Sequence, residues 1–381
     1  PVDTLYSRFN ITGKNYLQKS LVILQFTLAS FLIIATFVMY AQFNFLTTEK
    51  LGYDDSNLTI VNKDKVKHSE AAVFRNELMK DKDIIDVAAK NGGMWGTAAK
   101  TGNDSIIQFQ YETVNESYIP LLKIPVVAGR NFSTEYPGDS TNSVLVNEEF
   151  VKKAGWENPI GQIVNFWYRN EVYHVIGVVK DYHFASLNEK IGTQLFTMKH
   201  DNPFGTFLIK IKTGSDAASL KQIQKAFRKF FPLSPYSYVF KDQQNLKSYE
   251  AEAKWKQIML FSAILTIFIS CIGLFGLSVL SAEKRTKEVG IRKVLGASIN
   301  NVVTILSKDF VKLVIIALLI AVPLSWMAAN KWLENYPYRI TLGWPVFAIA
   351  GVIVVFIAIA TVSFQAIKAA IANPVKSLRS E

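Results

Sequence analysis

The residue types that most often carry out chemistry are few and scattered in this sequence. Four histidines, His68, His174, His183 and His200, and one cysteine, Cys271, are spread over 381 residues. None has a neighbour at metal-ligand spacing. There is no GxxxxGK[ST] loop, no GxSxG, no HExxH and no paired cysteine motif, so nucleotide hydrolysis, serine hydrolysis and zinc sites lack support. His183, in KDYHF, could bind a ligand, but a histidine at the end of a strand-like run is more commonly a surface residue. Gly92-Gly93 and Gly96 read as turn or hinge residues, because no helical pattern follows them as a phosphate loop requires. The chain is expected to be no enzyme and to bind no cofactor or metal itself.

Two patterns remain. Ser262, Thr266 and Ser270 recur every fourth residue in an otherwise apolar run, on one face of a helix. Such small hydroxyl residues suit close helix packing, with a polar conduit as the alternative. Directly after that run comes EKRTKEVGIRKVLGAS, residues 283–298, with seven charges. Ile291, Val294, Leu295, Ser298, Ile299, Val302 and Val303 fall on one helical stripe, and Arg285, Glu288, Arg292 and Lys293 lie largely off it. The spacing predicts an amphipathic helix over residues 283–303. Its basic side could rest on anionic lipid or on a protein partner, and composition does not separate the two.

The elements that position these residues are apolar. Uncharged runs occupy residues 20–46, 257–282, 313–330 and 340–367, each near or above the roughly 20 residues that cross a bilayer as a helix. Core helices of soluble proteins seldom run so far without a charge or a polar face. The third run is the weakest, with Lys308, Asp309 and Lys312 just before it and Pro323 inside. The expected fold is a polytopic α-helical membrane protein with four transmembrane helices. A large α+β extracytoplasmic domain is inserted between helices 1 and 2. The expected boundaries are a cytoplasmic segment 1–19, helix 1 at 20–46, the extracytoplasmic domain 47–250, helix 2 at 257–282 and a cytoplasmic helix 283–303. Helix 3 at 310–330, an external loop 331–339, helix 4 at 340–367 and a cytoplasmic tail 368–381 complete the order. The first run is too long for a cleavable signal peptide and lacks a small-residue cleavage site.

Charge gives the sides. The net charge is +11, yet residues 47–250 hold 25 Lys and Arg against 24 Asp and Glu. The excess therefore belongs to the membrane flanks, which removes nucleic acid as a partner and makes the lipid bilayer one. Residues 1–20, 281–312 and 368–381 carry 13 basic residues. Short basic flanks stay cytoplasmic, so both termini are expected inside and residues 47–250 outside. Tyr249, Trp255, Trp332, Tyr336, Tyr338 and Trp344 stand where outer interfacial aromatic belts belong. With one cysteine no intramolecular disulfide forms, and the outer domain must hold together by its own core.

That domain shows strand-helix-strand patterns at both ends: 57–62, 68–80 and 84–89, then 206–211, 217–231 and 236–240. Two such units flanking an insertion suggest a split ferredoxin-like sandwich. Residues 91–199 between them, with strand-like runs at 104–111, 143–147, 162–168 and 173–179 and a helix near 148–154, are expected to form a β-rich lobe.

Longer stretches carry a resemblance. RTKEVGIRKVLGAS, LSKDFVKLV, YRITLGW and TVSFQAIKAAIANPVKSLRSE look like the C-terminal membrane region of the FtsX/MacB-like ABC transporter permeases. GRNFSTEYPGDS, VLVNEEFVKKAGWENPIGQ and VIGVVKDYHFASLNEKI are similar to the extracytoplasmic domain of that family, in its Bacteroidetes-like branch. The resemblance implies an inner-membrane permease subunit for export or efflux that transmits the ATP-driven motion of a separate cytoplasmic ABC ATPase to its periplasmic domain. ATP is then used by the partner. Arg285, Lys287, Glu288, Gly290, Arg292, Lys293, Gly296 and Ala297 match the segment that couples to the ATPase. A second permease copy or half is implied, with a periplasmic adaptor or hydrolase as a further partner. The alternative within the family is an FtsX-like scaffold that regulates a periplasmic partner such as a cell-wall hydrolase. PVDTL at the start echoes PVKSL near the end, which leads us to expect the C-terminal half of a tandem permease.

Overall fold

The computed structural model describes residues 16–93, 95–102, 105–284, 288, 291–292, 295 and 298–371. Two compact units emerge, one of residues 47–250 and one of the remainder.

The second unit is helical. Among the described residues, four helices are long and apolar enough to cross a membrane: α1 at Tyr16–Thr48 and, beyond the polar domain, three more. The buried face of α1, Val22, Phe26, Ile33, Ile34 and Val38, packs with Leu274, Val314, Ala317, Ala350, Val354 and Ala358 of those three. The alanines on that seam let backbones approach, which is how helices associate where hydrophobic burial offers no advantage over lipid. The second helix, Glu250–Lys284, leaves Phe261, Leu265, Phe268 and Ile272 exposed. Such an apolar surface suits hydrocarbon. The third, Ile299–Leu333, contains Pro323 without ending there, and the fourth is Trp344–Ile371.

The polar domain has two layers of strands. In chain order its elements are β1 (Leu58–Val66), α2 (His68–Leu78), β2 (Ile84–Lys90), β3 (Trp95–Thr101), β4 (Ile106–Thr113), α3 (Tyr118–Leu121), β5 (Val126–Gly129), β6 (Ser143–Asn147) and α4 (Glu148–Ala154). Then follow β7 (Ile163–Phe166), β8 (Glu171–Val179), β9 (Gln194–Thr197), β10 (Phe204–Ile211), α5 (Asp216–Phe230), β11 (Tyr238–Phe240) and α6 (Lys241–Lys247). The three later transmembrane helices are accordingly α7, α8 and α9.

The first sheet has the order β11-β1-β10-β2 with every pairing antiparallel. Two strand-helix-strand units interleaved in this way make a ferredoxin-like sandwich. Its two faces are used differently. Val61, Val87, Phe207 and Ile209 point to α2 and α5, where Phe74, Ile223 and Phe227 complete a core. The alternate residues Leu58, Ala88 and Leu208 face Tyr118, Ile119, Leu145 and Phe196. Burial on both faces explains why these strands read as apolar runs.

The inserted lobe is a sheet in the order β5-β8-β6-β9-β4-β3-β7, and β7 also pairs with β8. That last pairing, Ile163 opposite His174 to Phe166 opposite Glu171, closes six strands into a ring around Phe109, Phe150, Val164, Phe166, Tyr173 and Leu195. β3, β5 and β9 were absent from the sequence-based expectation. Gly96, expected in a turn or hinge, lies inside β3 and pairs with Gln110. Gly93, with φ +77°, does sit at a bend.

Candidate functional site

The candidate site is the membrane unit from the Ser262 face of α7 through the charged segment into α8. α7 presents Ser262, Thr266 and Ser270 one turn apart. Thr266 Oγ1 donates to the Ser262 carbonyl at 2.8 Å, and Ser270 Oγ donates to the Thr266 carbonyl at 2.8 Å. These are the fallback bonds by which hydroxyl side chains satisfy themselves inside a helix. Only Ser270, 1% exposed, also reaches a neighbour, with its Oγ 3.3 Å from the Gln25 carbonyl of α1. Three residues on, a Cβ built at Gly273 would stand 2.4 Å from Gln25 Oε1. Ser270 and Gly273 therefore face Gln25 of α1, and any side chain at the second position would have to push the Gln25 amide aside.

Neither Gln25 nor Gly273 carries a charge, so intramembrane charge gives no signal for them in the sequence. The same holds for Gln42 of α1, which is 1% exposed. Its Nε2 donates to the Tyr338 carbonyl at 2.9 Å, and its Oε1 accepts from the Ile340 amide at 3.0 Å. One side chain thus pins the connection between α8 and α9. Thr361 Oγ1 lies 3.5 Å from Cys271 Sγ, joining α9 to α7.

The charged segment proves more divided than its stripe suggests. The single helix expected over 283–303 is broken. α7 runs on to Lys284, and α8 begins anew at Ile299, capped by Ser298, whose side chain accepts from the Asn301 amide at 3.3 Å. Serine takes the cap because it can close the first turn without a helical conformation of its own. Ile299, Val302 and Val303 consequently belong to α8, and no separate helix starts near residue 310.

Between the two helices, Glu288, Ile291 and Arg292 are helical, and the Leu295 amide donates to the Ile291 carbonyl at 3.0 Å. Arg292 Nη2 meets Glu288 Oε1 at 2.8 Å, four residues apart, with both side chains over two-fifths exposed. An exposed pair of this kind contributes only about 0.3–0.5 kcal/mol to the helix. Its charges remain available to an outside partner. Arg285, Lys287, Gly290, Lys293, Gly296 and Ala297 lie outside the described residues.

In the polar domain His183 donates its backbone N–H to the Leu51 carbonyl at 2.7 Å, and burial pushes its ring below the ordinary histidine pKa. His68 sits edge to face with His200 at 4.7 Å and against Phe204 at 4.1 Å, and its Nε2 is 3.0 Å from the Asn202 carbonyl. Burial first, and the neighbouring His200 next, lower its pKa. These are packing contacts. Among the described residues no three His, Cys, Asp or Glu side chains gather as metal ligands would.

Comparison with known proteins agrees with the architecture. The FtsX-like permease C-terminal family matches residues 260–374, and the MacB-like periplasmic core domain matches residues 21–227, more than half of the chain. The macrolide export ATP-binding/permease protein MacB of Aggregatibacter actinomycetemcomitans is 24% identical over 57% of this chain and 34% of its own length. That of Sodalis glossinidius is 21% identical over 77% of this chain and 48% of its own length. The chain thus spans between a third and a half of these relatives. The periplasmic region of MacB from Actinobacillus actinomycetemcomitans superposes with a TM-score of 0.41 at 17% identity, covering 55% of this chain and 97% of that one. The extracellular domain of the transporter YknZ gives 0.37 at 14% identity, covering 48% and 99%. With a MacB-like core domain set between its first two helices and an FtsX-like region formed by the rest, the chain belongs to the MacB-like ABC transporter permease family.

Proposed function

We propose that this chain is a permease subunit, or half of one, in an ABC-type mechanotransmission transporter, and that it serves export or efflux. A separate cytoplasmic ABC ATPase binds and hydrolyses ATP. Residues 285–298 receive its motion, and α7 and α8 carry that motion to the polar domain, which faces the periplasm. Two copies, or two halves of a longer chain, pair to form the working unit in a bacterial inner membrane.

The observation that carries this reading is the charged segment that joins two long helices. Glu288 and Arg292 are exposed on it, and α8 starts immediately afterwards as an unbroken 35-residue helix. About 50 Å of continuous helix at 1.5 Å per residue is a stiff lever. A push at the start of α8 is transmitted along it instead of being absorbed in a loop. The basic residues that flank the spans support a cytoplasmic position for that segment. The FtsX-like scaffold alternative has no observation in its favour.

Reversing charge at Arg285, Arg292 and Lys293 together tests the reading. In membranes that contain the companion ATPase, the triple variant is expected to insert normally while ATPase association, or the dependence of polar-domain movement on ATP, is lost. Association and coupling both equal to those of the parent chain would refute the assignment. Retention by anionic lipid alone would show as altered membrane extraction with coupling intact, and it would refute the assignment equally.

A further inference from the structure

A cavity of about 800 Å³ lies within the polar domain, bounded by β1, β2, β4, β10, α3 and α6. It falls in the size range of small-molecule sites, roughly 300–1,000 Å³. Its walls are aromatic. Tyr53 and Tyr182 stand edge to face at 5.7 Å, and Tyr182 and Phe184 do so at 5.9 Å.

Polar side chains line it as well, and two of them are incompletely used. Glu112, on β4, is 2% exposed. One of its carboxylate oxygens holds the Lys90 ammonium, and the other, Oε2, has no hydrogen-bond partner among the described residues. A buried carboxylate oxygen left without a donor is costly, so the site is built for a group that supplies one. Lys241, at the first position of α6, also lines the cavity. Its ammonium has a long contact of 3.3 Å to Gln244 Oε1 and lies 5.9 Å from the Tyr53 ring centre. Burial, and then the nearby charge of Lys90, lower its pKa to about 8, with Glu112 and Asp55 opposing. At neutral pH it is still mostly an ammonium with donors to spare.

Charges of both signs line the cavity, Lys90 and Lys241 with Glu112, Asp64 and Glu189, which favours neither a strong cation nor a strong anion. What is unmet is a donor for Glu112 and an acceptor for Lys241. A hydroxyl is both at once. Asn62, Gln244 and Asn245 add amides to the lining, and an aromatic ring among the lining residues suits the apolar face of a pyranose ring.

We propose that this cavity binds a neutral, hydroxyl-rich molecule of one or two sugar rings. Its hydroxyls bridge Glu112 and Lys241, and its ring lies against Tyr53 and Tyr182. The site is separate from the coupling segment and needs neither nucleotide nor ATPase, so its test is independent of the transporter reading.

The full chain is placed in lipid nanodiscs free of alkyl-glycoside detergent, since such detergents carry the proposed chemistry. It is then titrated with 4-methylumbelliferyl β-D-glucoside and the corresponding maltoside, followed by fluorescence anisotropy. Saturable binding with a Kd below about 1 mM is expected. Glu112→Gln is expected to weaken it roughly tenfold, the scale of one charge-assisted hydrogen bond. Because that change could also unsettle Lys90, Ala185→Trp serves as a second variant, filling the cavity without touching its charges. It is expected to abolish binding at an unchanged unfolding midpoint. No saturation at millimolar probe, which means a cavity filled by water alone, overturns the proposal. So does binding that ignores both substitutions. More than tenfold tighter binding of the glucosaminide or the glucuronide overturns the neutral class.

Discussion

Asp139→Ala isolates one tie that shapes the polar domain. Asp139 sits in the 3₁₀ turn Pro137–Ser140 and is 1% exposed. It accepts from Arg130 Nη1 at 2.6 Å, from Arg130 Nη2 at 2.8 Å and from the Ser133 amide at 3.0 Å. The Arg130 guanidinium also lies 4.0 Å over the Tyr136 ring. The whole GRNFSTEYPGDS stretch is thus folded around one carboxylate. Removing a partner from a fully buried pair costs about 3–5 kcal/mol. The Arg130 side chain is 38% exposed and can turn to water, so roughly 2–4 kcal/mol is the better figure. For a domain of this size each kcal/mol moves the midpoint by about 2–4 °C, and the fall should be about 5–15 °C. Burial pushes the Asp139 carboxyl up, but the bonds from Arg130, the Ser133 amide and the Ser143 hydroxyl outweigh it and hold it below the usual range. A lowered pKa means stability that is present above the unfolded value, near pH 4, and lost as pH falls below it. Thermal unfolding of parent and variant, followed by tryptophan fluorescence, should therefore show the full gap at pH 7 and a narrowing gap below about pH 4. A shift under about 2 °C at pH 7, or a gap that widens in acid, would refute the assignment of this tie.

Three other substitutions probe local packing, backbone conformation and pairing. Gly177→Ala would place a Cβ 2.3 Å from the Arg130 carbonyl and 2.8 Å from Leu145 Cδ2. Because the nearer atom is backbone, a loss of about 1–3 kcal/mol in chemical unfolding is expected, whereas Gly155→Ala, with nothing within 4 Å but φ +68°, should cost only about 1 kcal/mol of strain. Gln42→Leu would leave the Tyr338 carbonyl and the Ile340 amide unpaired. Faster protease cleavage in the α8–α9 connection is expected at unchanged membrane insertion, and equal cleavage rates would contradict the pinning role.

How much of this was legible depends on whether the signal was local. The four spans and the two strand-helix-strand units announce themselves by runs and periods within a few residues, and the structure places elements there. β3 did not, because WGTAAKT is small and weakly β-prone. β5 and β9 are four residues each, too short for a period. Ring closure was out of reach for another reason. It depends on β8 being shared by β5, β6 and β7, a choice made by packing across the lobe. The break at Ser298 has a local signal in its serine N-cap, but the apolar stripe runs straight through it and masks the signal. Glu112 lies in a strand whose burial no alternation predicts, since its carboxylate is tolerated only because Lys90 arrives from β2.

The pairing of β1 with β10 also sets a timetable. Leu58 lies opposite Lys210, so the first strand of the sandwich has no partner until the whole ring has been made. Closing a loop of that length is entropically slow compared with the pairings inside the ring. The ring therefore completes first and presents β10 to a strand already tethered by α1. Since β11 pairs with the other side of β1, the sheet becomes whole only when synthesis has almost reached α7. The domain's last act of assembly and the entry of the second helix into the bilayer are then nearly simultaneous.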